Sequence, residues 1–352
     1  MQKLFIKCTL AVFIVYTLYL IFLTPPLFAQ EQKGISLTIN PTILEVSDKP
    51  GNKIDGKFRI RNNFSKPLTL SLHVDKVDAR GKDGRVIPAT PDKGDTFISW
   101  LKFDQQTFTA APQEWTDVKY TIDVPKDAAF GYYYAIHVSQ DAKDVKEKTT
   151  ATVLGEVTIP LLLQIQRDGA KREAKLIEFK ADQFIYEYLP VKFLTTVENK
   201  GNVHLKPRGN IFIRGAGEKD LGIVEVNQGL GNVLPGSKRT FESVWNDGFL
   251  VQELVVEEET AKLDKNGKPQ MHLKINWNKI TDFRFGKYTA KLVLVYDDGK
   301  RDVALESATT FWVIPYTAIG ITLAGLIIAL LITRLILKAY VKQQIKKHQG
   351  RN

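Results

Sequence analysis

Cysteine is nearly absent: the chain of 352 residues has one, Cys8. If the first 29 residues are removed, no disulfide, no thiolate metal ligand and no cysteine nucleophile remains. His73, His137, His204 and His272 stand on separate strands or turns without metal-ligand spacing. No serine sits in a G-x-S-x-G elbow, and no pair of carboxylates is set apart as an acid/base couple. Gly231 to Lys238 (GNVLPGSK) approaches a phosphate-binding loop, but its Lys and Ser are in the wrong order and it leads into a strand. Asp264 to Gly267 lacks the later ligands of a calcium loop. The sequence thus indicates no cofactor, no metal and no catalytic residue, and an enzyme is not expected.

Charge is absent from one stretch. Val313 to Thr333 holds no charged residue in twenty-one positions, about 30 Å of helix, which matches the hydrocarbon core of a bilayer. Phe311, Trp312 and Tyr316 sit at its outer end, where interfacial aromatics belong. Acidic residues are missing beyond it, where Arg334, Lys338, Lys342, Lys346, Lys347 and Arg351 follow. That bias keeps the tail, 334–352, cytoplasmic and places everything before Phe311 outside. Arg334, Lys338, Lys342 and Lys346 recur every four residues and would share a drifting helical face toward anionic headgroups, with a plain topology signal as the simpler reading.

The start of the chain fits the same orientation. Lys3 and Lys7 precede an apolar run, Thr9 to Leu23, and then Leu27-Phe28-Ala29, the layout of a signal peptide spanning 1–29. An uncleaved anchor is the alternative. The formal net charge is +10, but the two leader lysines and six tail residues leave the exported part near +2. The basic balance reports topology and gives no support to nucleic-acid binding.

A helical period is missing from the exported segment; its period is two. Leu68, Leu70, Leu72 and Val74 alternate with polar residues, as do Val118, Tyr120, Ile122 and Val124, and later Tyr288, Ala290, Leu292 and Leu294. Such runs offer one apolar face to a core, which sets Tyr134 and Leu292 inward and Tyr133 and Lys291 on the opposite faces. Turn signals such as Asn62-Asn63 and Asn266-Gly267 separate the runs. Many short strands at this spacing predict an all-β chain of two tandem immunoglobulin-like β-sandwiches plus one C-terminal transmembrane helix. A weak internal repeat supports the pairing: Phe58 to Val74 is similar to Phe193 to Ile213, and Phe130-Gly131 to Phe285-Gly286. The boundaries fall at 30–166 and 174–312, with a polar linker at 167–173 and the span at 313–333.

The two copies differ in length. Pro112 to Gly131 is nineteen residues, whereas Pro235 to Gly286 is fifty-one. The surplus predicts an inserted β-hairpin, about 249–278, whose polar turn and acidic run make Glu257, Glu258, Glu259, Lys265 and Asn266 candidate recognition residues. Trp312, Tyr316, Arg334 and Lys338 are the candidate membrane-interface residues.

Several stretches of the first domain carry a family resemblance: INPTILEV, Pro50-Gly51, FRIRNNFSKPLTLSLHV, a Gly-rich loop, WLKFD, VKYTIDVP and the Phe-Gly-Tyr strand. In this order it resembles the peptidoglycan-binding N-terminal domain of the WxL-interacting surface proteins of bacteria. The plan of leader, two sandwiches, one span and a short basic tail covers nearly the whole chain. The second domain, with its inserted hairpin, fits that pattern less closely. The resemblance implies binding of cell-wall glycan by the first domain and of a surface protein by the second. The expected partners are thus the lipid bilayer and a wall glycan or surface protein, with an accessory subunit of a membrane complex as the alternative.

Overall fold

The computed structural model describes residues 36–78, 87–140, 156–257 and 260–349, with helix side chains described as far as Val341. The leader stretch 1–29, the charged loop 141–149 and the pair Glu258 and Glu259 lie outside the described residues.

The first sandwich contains β1 (Leu37–Asn40), β2 (Leu44–Asp48), β3 (Lys53–Asn62), β4 (Leu68–Asp78), β5 (Ile87–Ala89), β6 (Leu101–Phe103), β7 (Thr107–Ala110), β8 (Trp115–Asp123), β9 (Phe130–Gln140) and β10 (Glu156–Ile165). One sheet runs β1-β3-β8-β6; the other runs β2-β10-β9-β4-β5, with β7 also on β4. The period-two pattern explains the packing. Phe58 and Ile60 of β3 and Ile122 of β8 meet Leu70, Tyr134, Ile136 and Leu161 from the opposite sheet, and all are almost wholly buried. Lys57, Arg59 and Asp117 on the alternate positions stay at the surface, where Lys57 pairs with Asp117 at 2.9 Å.

The second sandwich contains β11 (Ala174–Ala181), β12 (Ile185–Tyr186), β13 (Val191–Asn199), β14 (Arg208–Arg214), β15 (Asp220–Val226), β16 (Lys238–Trp245), then an inserted hairpin, then β21 (Gly286–Asp297) and β22 (Asp302–Val313). The hairpin holds β17 (Leu250–Leu254), β18 (Val256–Glu257), β19 (Thr260–Ala261) and β20 (Met271–Ile275). The sheets are β11-β13-β16 and β12-β22-β21-β14-β15. Nearly every second residue of β13 and β21 is buried. Phe193, Trp245, Tyr288 and Phe311 form the aromatic centre of this core, with ring centroids 5.5 to 6.1 Å apart. Leu292 is fully buried, while Lys291 faces outward and pairs with Glu306 at 3.0 Å.

The Phe-Gly turns enter their strands in different ways. In the second sandwich Gly286 carries the positive φ of 117°, but in the first it is Phe130, at 70°. Gly131 is required for another reason: a Cβ there would collide with the Tyr133 ring, 2.1 Å from its hydroxyl oxygen. The linker residues before 174 are hydrogen-bonded to the sandwiches on either side. Arg167 donates to the carbonyls of Asp127 and Ala128, and Asn202 ties Gly169 and Lys171 to the second sandwich.

A single helix, Tyr316–Gln349, ends the described chain. Its apolar part, Tyr316–Val341, is long enough to cross a membrane, and none of the described residues covers it. The strand before it runs further than hydropathy suggests, because Val313 is buried and paired with Gly286. Pro315 lacks the N–H that another ladder position would need, and the helix starts at the next residue. No break occurs at Arg334; Arg334 and Lys338 project from the same continuous helix.

Candidate functional site

The outward face of β9 and β10 and the free edge of the second sandwich enclose a cleft of about 1030 Å³ between the domains. β16 ends the three-stranded sheet and β15 ends the five-stranded one, so two edge strands open onto this space. Tyr133, Pro160 and Leu162 line it on one side, and Ile223, Asn232, Glu242 and Trp245 on the other. An edge strand presents a row of backbone donors and acceptors without ladder partners.

The two walls are held at a set spacing by a polar tie. Glu45 of the first sandwich accepts from Lys206 Nζ and from Asn232 Nδ2, each at 2.8 Å. Burial works to raise the Glu45 carboxyl, but the hydrogen bonds from Lys206 and Asn232, with the nearby charges of Lys206 and His204, bring it below the ordinary carboxylate value. Beside the tie, the Tyr133 ring meets the His204 imidazole edge-on, centroids 5.9 Å apart. Burial dominates at His204 and, with the charges of Lys206 and Arg172, lowers its pKa to about 4 despite the opposing pull of Glu45. Burial likewise pushes the Tyr133 hydroxyl well above its ordinary value.

Among the residues around the cleft, Asn232 Oδ1 and Trp245 Nε1 are buried without a hydrogen-bond partner, the latter on a ring that belongs to the second core, while the buried Tyr133 Oη lies against the His204 backbone. Native proteins leave few such groups unpaired, because each forfeits its bonds to water. Sequence reasoning placed Tyr133 on an outer face but could not find this site. Only the signal of an unusually aromatic outer position on β9 was available.

The residues singled out from sequence lie elsewhere. Glu257 is exposed on β18 and pairs with Lys262 at 2.6 Å. Lys265 and Asn266 occupy the hairpin tip. There Asp264 Oδ1 accepts from the backbone N–H groups of Asn266 and Lys268, at 2.8 and 2.9 Å, so the turn is satisfied internally. Trp312 is the penultimate residue of β22, its N–H bonded to the Phe184 carbonyl at 2.9 Å. Tyr316 is the exposed first residue of the helix. The structure brings none of the hairpin-tip residues to the cleft. It does gather two histidines: His73 stacks on the buried His137 at 6.0 Å, with Asp75 and Glu156 alongside. Among the described residues no group of three or more His, Cys, Asp or Glu has the arrangement of a metal site.

The chain matches no protein-family model and no curated protein. Among solved structures it is similar to the class 5 fimbriae chaperone CfaA, at 11% identity over 78% of this chain and 99% of that one, with a TM-score of 0.36. The CupB2 chaperone of Pseudomonas aeruginosa gives 10% identity over 77% and 99%, with a TM-score of 0.35. The E. coli chaperone DraB gives 11% over 78% and 99%, with a TM-score of 0.33. Likeness this slight assigns no function, and the tandem immunoglobulin-like architecture rests on the chain's own sheets, closed by a C-terminal apolar helix.

Proposed function

We propose that the chain is a non-catalytic, membrane-anchored surface protein that holds a macromolecular partner in the cleft between its two sandwiches. The observation that carries this reading is the edge strand β16, which ends its sheet and opens onto the cleft between the sandwiches. An extended segment of another surface protein supplies what this wall lacks. Its main chain adds to the edge strand, and its side chains meet Tyr133 and Ile223 across the cleft. The apolar helix and basic tail then hold the complex at the membrane, with the sandwiches outside.

A wall glycan is the second reading. Sugar hydroxyls both donate and accept, and the half-buried Tyr133 ring offers stacking surface; the resemblance of the first domain to peptidoglycan-binding domains points the same way. The exposed hairpin tip, Glu257 with Lys265 and Asn266, is a further recognition element under either reading. An accessory subunit of a membrane complex would instead use the helix and tail.

Co-sedimentation of the detergent-solubilised full chain with cell-wall sacculi, before and after their attached proteins are stripped, tests the proposal. Binding that disappears on stripping and weakens in Val244→Pro, which blocks β16 pairing, supports the protein reading. Binding that survives stripping supports the glycan. No binding to either, with a membrane protein co-purifying through the helix alone, overturns both.

A further inference from the structure

The inserted hairpin springs from the end of the second sandwich that leads into the apolar helix. β16 ends at Trp245, paired with Val191, and β21 begins at Gly286, paired with Val313. Residues 246–285 are therefore inserted entirely at the end where the chain leaves for the helix. Phe285 lies one position beyond the Gly286–Val313 pair, level with Ile314 and two residues short of the helix start. At about 3.3 Å per residue it lies within roughly 10 Å of the first helical turn.

This end of the sandwich is apolar where a water-facing surface is ordinarily polar. Trp277 is 69% exposed, Ile280 59%, Phe283 49% and Phe285 59%; Phe184, bonded through its carbonyl to Trp312, is 63% exposed. The aromatic members are braced from behind by Phe249, whose ring centroid is 5.7 Å from Trp277 and 6.5 Å from Phe283. Phe249 is itself fixed by backbone bonds to Asp282 and Asn276. The side chains are thus presented outward from a short, hydrogen-bonded turn, Trp277–Asp282. Exposed apolar side chains gathered at one end of a domain, two of them packed on a shared ring, mark an interaction site.

Charge identifies what covers it. The insertion carries seven acidic and six basic side chains, and three of its five lysines are engaged locally: Lys274 with Glu253 at 2.8 Å, Lys262 with Glu257 at 2.6 Å, and Lys279 with Asp247; Lys265 and Lys268 belong to the distal turn. With acids outnumbering bases, the insertion has no basic excess to attract an acidic partner or anionic headgroups. Tryptophan and phenylalanine at the start of an apolar helix suit the interfacial layer of a bilayer, roughly 5–8 Å deep on each side of the core.

We propose that Phe184, Trp277, Ile280, Phe283 and Phe285 form a collar that seats the second sandwich in the interfacial layer of the membrane its own helix crosses. The inference rests on reading Tyr316–Val341 as a membrane span. The collar supplies the second point of attachment that a single flexible crossing lacks. With it the sandwich stands at a fixed tilt and presents the cleft at a set height.

Spin-label accessibility in the full-length protein tests this. Cys8→Ser removes the native thiol, and single cysteines at Trp277, Ile280, Trp115 and Leu326 are labelled one at a time after reconstitution in phosphatidylcholine vesicles. The ratio of accessibility to oxygen over a water-soluble nickel chelate should be highest at Leu326 and lowest at Trp115, on the first sandwich. At Trp277 and Ile280 it should fall clearly between these limits. Equality with Trp115, while Leu326 remains in lipid, overturns the collar and leaves the anchor standing. A water-exposed Leu326 overturns the anchor reading itself. Exclusion of both agents at Trp277 and Ile280, with dipolar broadening that grows with protein density, assigns the patch to a second copy of the chain and overturns the collar as well.

Discussion

Asn62 and Asn199 occupy the same place in the two sandwiches and make the same three hydrogen bonds. Each is fully buried at the end of its strand. Asn62 donates to the carbonyls of Lys66, at 2.8 Å, and Ala110, at 3.1 Å, and its Oδ1 accepts from the Phe64 N–H at 2.9 Å. Asn199 donates to Val203 and Val233, both at 2.8 Å, and accepts from the Gly201 N–H at 2.8 Å. In each case one side chain closes the turn after a strand and pins a distant loop beneath it. The weak repeat seen in the sequence is the trace of this shared construction.

Replacing either asparagine by alanine should leave two carbonyls and one N–H short of a buried partner. A loss of about 1–3 kcal/mol per site is expected. Urea unfolding of the full chain, followed by domain-specific probes, checks it: Asn62→Ala should lower the first sandwich's midpoint and Asn199→Ala the second's. A loss confined to neither domain would deny that the two turns are equivalent.

The cores make a simpler forecast. Leu292 is fully buried between the sheets, while its neighbour Lys291 is surface-paired with Glu306. Leu292→Ala should cost about 2–5 kcal/mol and Lys291→Ala no more than roughly 0.5. Thermal melts of the two variants side by side decide it. Equal shifts would contradict the β21 register.

Acid should loosen the interdomain tie. The His204 pKa is lowered by burial to about 4, so between roughly pH 6.5 and 4 the unfolded or undocked chain binds a proton that the docked one does not. Stability therefore falls as pH drops through that window, by on the order of 3 kcal/mol when complete. Glu45, whose pKa is also lowered, acts in the same sense below its ordinary range. His204→Phe should flatten the acid limb of an unfolding or domain-docking measurement above pH 4. An unchanged limb would place the titration elsewhere.

The distal hairpin should be dispensable for folding. Among the described residues, β18, β19 and the Asp264 turn pair only within their own hairpin, and β20 is exposed along its whole length. Replacing 255–270 by a short Gly-Ser turn should keep cooperative unfolding of the second sandwich, with a midpoint within about 0.5 kcal/mol of the parent. Partner capture by the truncated protein then shows whether Glu257, Lys265 and Asn266 take part. Loss of cooperativity would make the tip part of the architecture.

Much of the fold was legible because burial in a sandwich follows local periodicity. Alternation set Leu70, Tyr134, Ile136 and Leu292 toward the core, and the structure places them there. The apolar helix was equally plain, since twenty-one uncharged residues need no tertiary context to be noticed. A strand pattern, however, says only which face is covered within its own sheet pair. It placed Tyr133 outward, and outward is where its ring finds His204 of the other domain. Glu45, Lys206 and Asn232 meet across 161 and 187 residues of sequence, a closure no local pattern encodes.

The hairpin shows the same division from the other side. Its turn, Asp264 to Gly267, and its apolar alternation are sequence properties, and they determined that a hairpin forms. Its location was set by pairing alone: Trp245 with Val191 and Gly286 with Val313 put both ends of the insertion beside the helix. Sequence by itself determined the strands, the two cores and the apolar helix, because those follow from polarity at neighbouring positions. Only the tertiary structure decided the cleft and the apolar end of the sandwich, because both are made by residues brought together through register and docking between distant segments.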